Sequence, residues 1–358
     1  MNKLMSTAAL LALTSTGALA GGIERAAPST GLLFEDGEYA EFTFSTVSPT
    51  VSGSTGGGAA SSGDITPSYQ NWSFGYKRDL NDSLALAVSV GQPWGADVSY
   101  PTGTGYPLAG STAQLNTLSV DALLRYKMQN NFSVHGGVRL QSMNGDISLS
   151  SGYNLSVSDE WDIGYILGVA YERPDIALRV ALTYYSEIGH GFTDNAGGPF
   201  GTADPFEVAT PQSLNLEFQS GIAQNTLLFG SIRWADWTAT KIAPDVGTPL
   251  PDPLVDYDDD TVTYNLGIGR RFNETWSGAV TIGYEASSGG FSGNLGPTDG
   301  NKSLGLGVTY THDNYKISGG VRYIWIGDAQ TEAPGGGLLG TFTDNHAVAA
   351  GIKMSVSF

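Results

Sequence analysis

The chain has 358 residues, with 35 acidic against 17 basic side chains and a net charge of −18, a balance that argues against nucleic acid, which selects basic surfaces. Cysteine is absent, so disulfides and thiolate chemistry are excluded. Only 15% of the residues are charged, and 49 glycines accompany 7 Trp, 17 Tyr and 14 Phe. The first residues read as a signal peptide. Lys3 gives a positive start, Leu4 to Leu13 is mostly apolar, and Ala18-Leu19-Ala20 is a small-x-small site before Gly21-Gly22, which predicts cleavage after Ala20. That apolar run is short for a membrane anchor, because a spanning helix needs about 20 apolar residues. No later stretch approaches this length. The mature chain is therefore either soluble in an exported compartment or a closed barrel, the other way to span lipid.

Residues 21–37 precede the first strand pattern and carry Pro28 and the apolar run Leu32-Leu33-Phe34. The expectation is a segment that folds up into a lumen as a plug, the alternative being a flexible tail. Strands follow at about 38–50, 65–79, 83–94, 112–127, 131–147, 157–171, 175–188, 208–220, 224–237, 260–271, 275–286, 301–311, 314–327 and 344–358. Each shows a period of two, the mark of strands with two different faces. Trp72, Phe74 and Tyr76 alternate with Ser73, Gly75 and Lys77; Leu84, Leu86, Val88 and Val90 with Ala85, Ala87, Ser89 and Gly91. Trp161, Ile163, Tyr165, Leu167, Val169 and Tyr171 form a third such face, and Val348 to Phe358 a last one.

A soluble sandwich also alternates, so two further features decide. Aromatics cluster near the ends of the apolar faces, at Trp72 and Tyr76, Trp161 and Tyr171, Trp276 and Tyr284, Tyr315 and Trp325, as interfacial girdles require. The connections also alternate in length. Short turns fall near Asn81, Asn130, Pro174, Ala223, Asn273 and Asp313, and long loops near 51–64, 95–111, 148–156, 189–207, 238–259, 287–300 and 328–343. The reading is an all-β, up-and-down transmembrane barrel of about fourteen antiparallel strands over 38–358, with both termini on the short-turn side.

Parity places Glu41, Lys77, Asp121, Arg125, His135, Arg139, Glu172, Arg179, Glu217, Arg233, Glu285, Arg322 and Lys353 inward, since an outward Arg or Lys at mid-membrane costs about 2–4 kcal/mol. They read first as an ion-pair network that holds the lumen. The sharper expectation is that basic members, Arg125, Arg139, Arg179, Arg233 and Arg322, attract an anionic head group. Gly91-Gln92-Pro93-Trp94-Gly95 interrupts the third strand. Proline lacks the N–H that a ladder needs, so this is either a turn above the membrane or a gap in the wall. Ser133 with His135 is the only local nucleophile–base pair, a weak signal for catalysis. The acidic run Asp252, Asp256, Asp258, Asp259 and Asp260 lacks the alternation of a calcium loop and reads as a solvated loop that could meet divalent cations. No catalytic set, metal site or cofactor is expected.

Four segments resemble the FadL-type family of outer-membrane transporters for long-chain fatty acids and other hydrophobic compounds. Ala209-Thr210-Pro211-Gln212-Ser213-Leu214-Asn215-Leu216 is similar to its T-P-x-S-x-x-L approach to a strand, and Arg233-Trp234-Ala235-Asp236-Trp237-Thr238 to its W-x-x-W strand end. Gln92 to Asp97 resembles its interrupted third strand, and Phe358 the terminal aromatic that barrel assembly machinery reads. The resemblance implies a monomeric Gram-negative outer-membrane barrel, set in lipid and lipopolysaccharide, with an N-terminal hatch that includes Pro28 and Phe34. Its ligand, a fatty acid or other hydrophobic small molecule, would leave sideways at Gly91, Pro93 and Gly95. The family's Asn-Pro-Ala stands here as Ala27-Pro28-Ser29. The alternatives are a water-filled porin for small polar solutes and a lipid-hydrolysing barrel.

Overall fold

A strand that is apolar on one face only must bury that face in lipid or in a core, and here lipid takes it. The computed structural model describes residues 23–192, 205–244 and 253–358; the expected signal peptide 1–20 and Asp252 lie outside the described residues. Fourteen strands make one closed antiparallel sheet: β1 (Tyr39–Thr50), β2 (Tyr69–Asp79), β3 in two pieces (Leu84–Gly91 and Gly95–Ser99), β4 (Thr112–Lys127), β5 (Phe132–Ser148), β6 (Asn154–Arg173), β7 (Leu178–Tyr185), β8 (Ser213–Ala223), β9 (Thr226–Ala235), β10 (Thr261–Arg271), β11 (Trp276–Glu285), β12 (Asn301–His312), β13 (Tyr315–Ile326) and β14 (His346–Ser357). Each pairs with its sequence neighbours, and β14 closes on β1 from Tyr39↔Ser357 to Thr50↔His346. Closure gives every strand of the wall a partner on both sides, as a lipid environment demands, with one local exception in β3 described below.

The short turns have identifiable chemistry. Asn131, Asn225 and Asp313 adopt positive φ, which Asn and Asp tolerate best after glycine. The Asn81 side-chain oxygen accepts from Ser83 N and Leu84 N, and that of Asn273 from Thr275 N and Trp276 N. The outward faces are apolar, with Leu167, Ile282, Leu306 and Val321 each 55% exposed on the bare barrel. The inward faces hold the charges, with Lys77 wholly buried.

Two features depart from the sequence expectation. The connection expected at 148–156 is shorter, because β5 and β6 run on for 17 and 20 residues, past the roughly ten that cross hydrocarbon. Their projecting ends stay ordered by burying Met143, Ile147 and Leu155 against Phe192 and Val208. The long loops also carry strands of their own, which the sequence reading did not include. Short strands at Ser52–Thr55, Ser61–Asp64, Phe291–Ser292, Ala329–Glu332 and Leu338–Phe342 form a five-stranded sheet, and Ile188–Phe192 pairs with Phe206–Thr210.

Candidate functional site

The break in β3 is the most unusual feature of the wall. Between β2 and β3 the ladder stops at Ser73↔Gly91, although β2 continues to pair with β1 as far as Val47↔Tyr69. On the other side β4 pairs with Gly91 through Ser119 and resumes at Gly95↔Asn116. Gln92, Pro93 and Trp94 lie between. Trp72 N donates to the Gln92 side chain at 3.4 Å in place of a ladder bond.

The N-terminal segment supplies the backbone partners that the break leaves over. The Pro93 carbonyl accepts from Arg25 N (2.8 Å) and Ala26 N (3.1 Å), and Gly95 N donates to the Ile23 carbonyl (2.8 Å). Glu24 and Trp94 form an antiparallel bridge. Glycine at 95 leaves space for Arg25, because an added Cβ would lie 2.5 Å from its guanidinium and displace that side chain. Arg25 itself pairs with Asp97. Trp94 is held from three sides. Its Nε1 donates to Gln141 (3.1 Å), its backbone N donates to Thr117 Oγ1, and its ring meets Trp237 edge-on at 5.4 Å. Gln141 Nε2 in turn contacts Thr210 Oγ1 and His190 Nε2, and His190 Nδ1 lies 3.0 Å from Asp162.

The rest of the segment meets inward-facing side chains. Asn215 Nδ2 donates to the Pro28 carbonyl at 2.6 Å, and Glu217 accepts from Ser29 Oγ and from Thr30 N and Oγ1. Residues Gly31–Phe34 form one 3-10 turn, within which Leu33 is buried against Ala87, Leu123, Ile166 and Tyr185. Leu32 packs over Gly75. The Phe34 ring is stacked by Arg125 at 4.2 Å and by Arg179 at 4.7 Å.

The five lumenal arginines therefore differ in their engagements. Arg125 pairs with Glu172 and donates to Ser133 and to the Leu33 carbonyl. Arg139 binds Asp121 through Nε and Nη2, both at 2.7 Å. Arg233 pairs with Glu24 at 2.8 Å and donates to Asn215. Arg179 lies in the field of Glu217 and Glu35. Arg322, by contrast, has buried Nε and Nη2 atoms with no hydrogen-bond partner among the described residues. Lys353 pairs with Glu41 and Lys77 with Asp79.

A cavity of about 250 Å³ joins these parts. Its lining includes Arg139, Arg233, Arg322 and Lys353 from the lumen, Pro28 and Leu32 from the N-terminal segment, and Gly91, Gln92 and Pro93 from the break. Trp72, Phe74 and Val90 of the outward face also line it. A second, mainly apolar pocket lies beyond the break among Ile23, Ala96, Leu115, Met143, Phe192, Val208 and Tyr257. Burial there pushes the Tyr257 phenol above its usual range, so it stays neutral.

The Ser133/His135 pair does not form a nucleophile–base contact. Ser133 accepts from Arg125 Nε, and His135 Nε2 lies 2.9 Å from Thr183 Oγ1. Asp256 pairs with Lys241, and Asp260 accepts from Trp234 Nε1. Among the described residues no cluster of potential metal ligands converges. The two strand-end motifs meet each other: Gln212 Nε2 donates to Asp236 at 2.9 Å, and this bond, with one from Thr238, holds the Asp236 carboxyl below its usual range. Sequence reasoning missed Glu24, Gln141, His190, Asn215, Glu217 and Trp237 as members of this assembly. Only Asn215, Glu217 and Trp237 carried a signal, as inward or strand-end positions of those motifs.

The outer membrane protein transport protein (OMPP1/FadL/TodX) family model matches residues 22–358. Among solved structures, the fold is similar to a Pseudomonas aeruginosa FadL homologue (TM-score 0.78, 14% identity, 97% of this chain and 98% of that one). It is also similar to the P. putida toluene transporter TodX (TM-score 0.66, 13% identity, 97% and 98%). The Ralstonia pickettii toluene transporter TbuX gives a TM-score of 0.65 at 13% identity, covering 97% of each chain. No curated protein matches the chain by sequence.

Proposed function

The chain belongs to the OMPP1/FadL/TodX family of outer membrane transport proteins, and from that premise we propose that it takes up long-chain fatty acids or similar hydrophobic compounds by passive diffusion. In this reading the apolar pocket around Met143 and Phe192 captures ligand from outside. Residues 23–37 act as the hatch, held by Glu217, Asn215, Arg233 and Arg125. The ligand leaves sideways between β2 and β3, at Gly91, Gln92, Pro93, Trp94 and Gly95.

The observation that carries the lateral exit is the shared cavity lining. Lumenal Arg139 and Arg322 border the same space as Trp72, Phe74 and Val90, whose side chains face lipid. Such an exit delivers an apolar solute into hydrocarbon without crossing water. Each methylene kept out of water contributes about 0.8 kcal/mol, so the acyl chain supplies the driving preference. The protein works as a monomer in outer-membrane lipid and lipopolysaccharide, inserted by the barrel assembly machinery through a C-terminal strand ending in Phe358.

The test replaces Gly91 and Pro93 with valine, which restores the one N–H missing at Pro93 and favours extended strand at both positions, while leaving Gly95 to clear Arg25. In a correctly assembled barrel, uptake of oleate by cells is expected to fall at least tenfold. Undiminished uptake overturns the lateral exit. Liposome swelling with small sugars is expected to be negligible for the unaltered chain, and rapid swelling would instead mark a water-filled pore.

A further inference from the structure

Beyond the break in β3, carboxylates gather around a second cavity of about 150 Å³, between the end of β11 and the loops at 253–260 and 286–299. Asp258 and Asp259 line it from an exposed loop, and by themselves they are a solvated charge run. Glu285 is of another kind. It lines the same cavity but is only 3% exposed. Its Oε2 accepts from Thr263 Oγ1 at 2.6 Å, while its buried Oε1 has no hydrogen-bond partner among the described residues. Asn301, opposite it on β12, lines the lumenal cavity rather than this one. The one basic residue in the lining, Arg25, is already taken by Asp97. A carboxylate oxygen away from water needs a donor or a cation beside it, and the lining offers neither.

We infer that this cavity is a binding site for an amphiphilic cation, an alkylammonium whose head meets Glu285 Oε1 and whose chain lies in the adjoining apolar pocket. The two spaces are continuous, because Ile23, Ala96, Tyr257 and Leu295 line both. From there the apolar pocket runs on to Leu115, Met143 and Phe192. A bare metal ion fits poorly. Calcium takes six to eight oxygens at about 2.3–2.6 Å, and no such set converges among the described residues. An alkylammonium needs fewer oxygens and gains from aromatic rings. Tyr257 and Trp237 supply these in the lining, with their ring centroids 5.3 Å apart. Binding there does not require passage through the channel, so the site stands apart from the uptake reading and adds a cationic ligand class to it.

The experiment places the full-length chain in nanodiscs of zwitterionic lipid, subtracts empty discs, and measures binding of octyltrimethylammonium and of octanol by calorimetry. The unaltered chain is expected to hold the cation about tenfold tighter than the alcohol, as a charge-assisted contact to a buried carboxylate provides. Glu285→Gln keeps the shape and removes the charge. It should abolish that preference and leave octanol within about twofold. Asp258→Asn with Asp259→Asn should cost the cation less than about threefold, because exposed charges are screened. Heat-modifiable electrophoresis checks that each variant assembles. If Glu285→Gln does not, the ratio of the two affinities in the unaltered chain decides. A ratio near one, an unchanged ratio in assembled Glu285→Gln, an equal loss in the loop variant, or displacement of the cation by equimolar calcium each overturn the site.

Discussion

Arg233 reaches Glu24 across 209 residues of chain, with 2.8 Å between Nη2 and Oε1, and so ties β9 to the N-terminal segment beside the break in β3. Both side chains are buried, so the pair holds a long-range contact where no backbone ladder reaches.

Removing one partner of a buried pair costs about 3–5 kcal/mol, more than the pair contributes, because a lone charge is left behind. Glu24→Gln is therefore expected to release the N-terminal segment, seen as faster cleavage of residues 23–37 by added protease. Glu24→Gln with Arg233→Met should recover most of the protection. Equal protection of the single variant and the unaltered chain would show that the pair does not anchor the segment.

Phe34 separates two cations, since Arg125 and Arg179 stack on its ring. Each desolvated cation–ring contact is worth about 1–2 kcal/mol. Phe34→Ala should lose both and leave the arginines facing each other, with sugar leakage in liposome swelling rising severalfold. Phe34→Leu keeps the apolar volume without the ring's quadrupole, so its leakage should fall between the two. Leakage in Phe34→Leu as high as in Phe34→Ala would remove the cation–ring term from the account.

Gly137 on β5 pairs with Leu123 on β4. A Cβ there would come within 1.9 Å of the Ala122 carbonyl oxygen, a backbone atom that cannot swing away. Gly137→Ala is expected to lower the thermal midpoint in detergent by several degrees and to reduce the folded fraction on heat-modifiable electrophoresis. An unchanged midpoint would mean that β4 and β5 shift freely at that level.

Leu167 is 55% exposed on the bare barrel and lies on the outward face of β6. An arginine at mid-membrane on a barrel's lipid face costs about 2–4 kcal/mol. Leu167→Arg should lower the urea stability in vesicles by that amount, whereas Asp162→Asn, on the inward face of the same strand, should not. Indifference to Leu167→Arg would place that face in water.

Strand count, turn positions and the inward direction of the charges were legible because each depends on local periodicity. Asn81 and Asn273 announced their turns, and Lys77 and Lys353 their inward faces, within a few residues of sequence. The contacts of the candidate site were not legible, because they join distant segments with no shared pattern. Nothing near Glu24 indicates Arg233, and nothing near Pro93 indicates that Ile23, Arg25 and Ala26 complete its hydrogen bonds. The split among the arginines was hidden for the same reason: parity sends Arg139 and Arg322 inward alike, and only the acids on neighbouring strands separate them.

The five-stranded sheet over the β1–β14 seam has a consequence for assembly. Gly53 pairs with Phe342, almost three hundred positions later, and Leu338–Phe342 joins Ala329–Glu332 to the early strands of the first loop. Contacts so remote in sequence form late, since loop closure must come first. This roof is accordingly a latch that fastens only after the circle is complete, and a chain with Gly53→Val, whose side chain would strike Thr341 and Phe342, should still close its wall while leaving the rim above the seam unfastened.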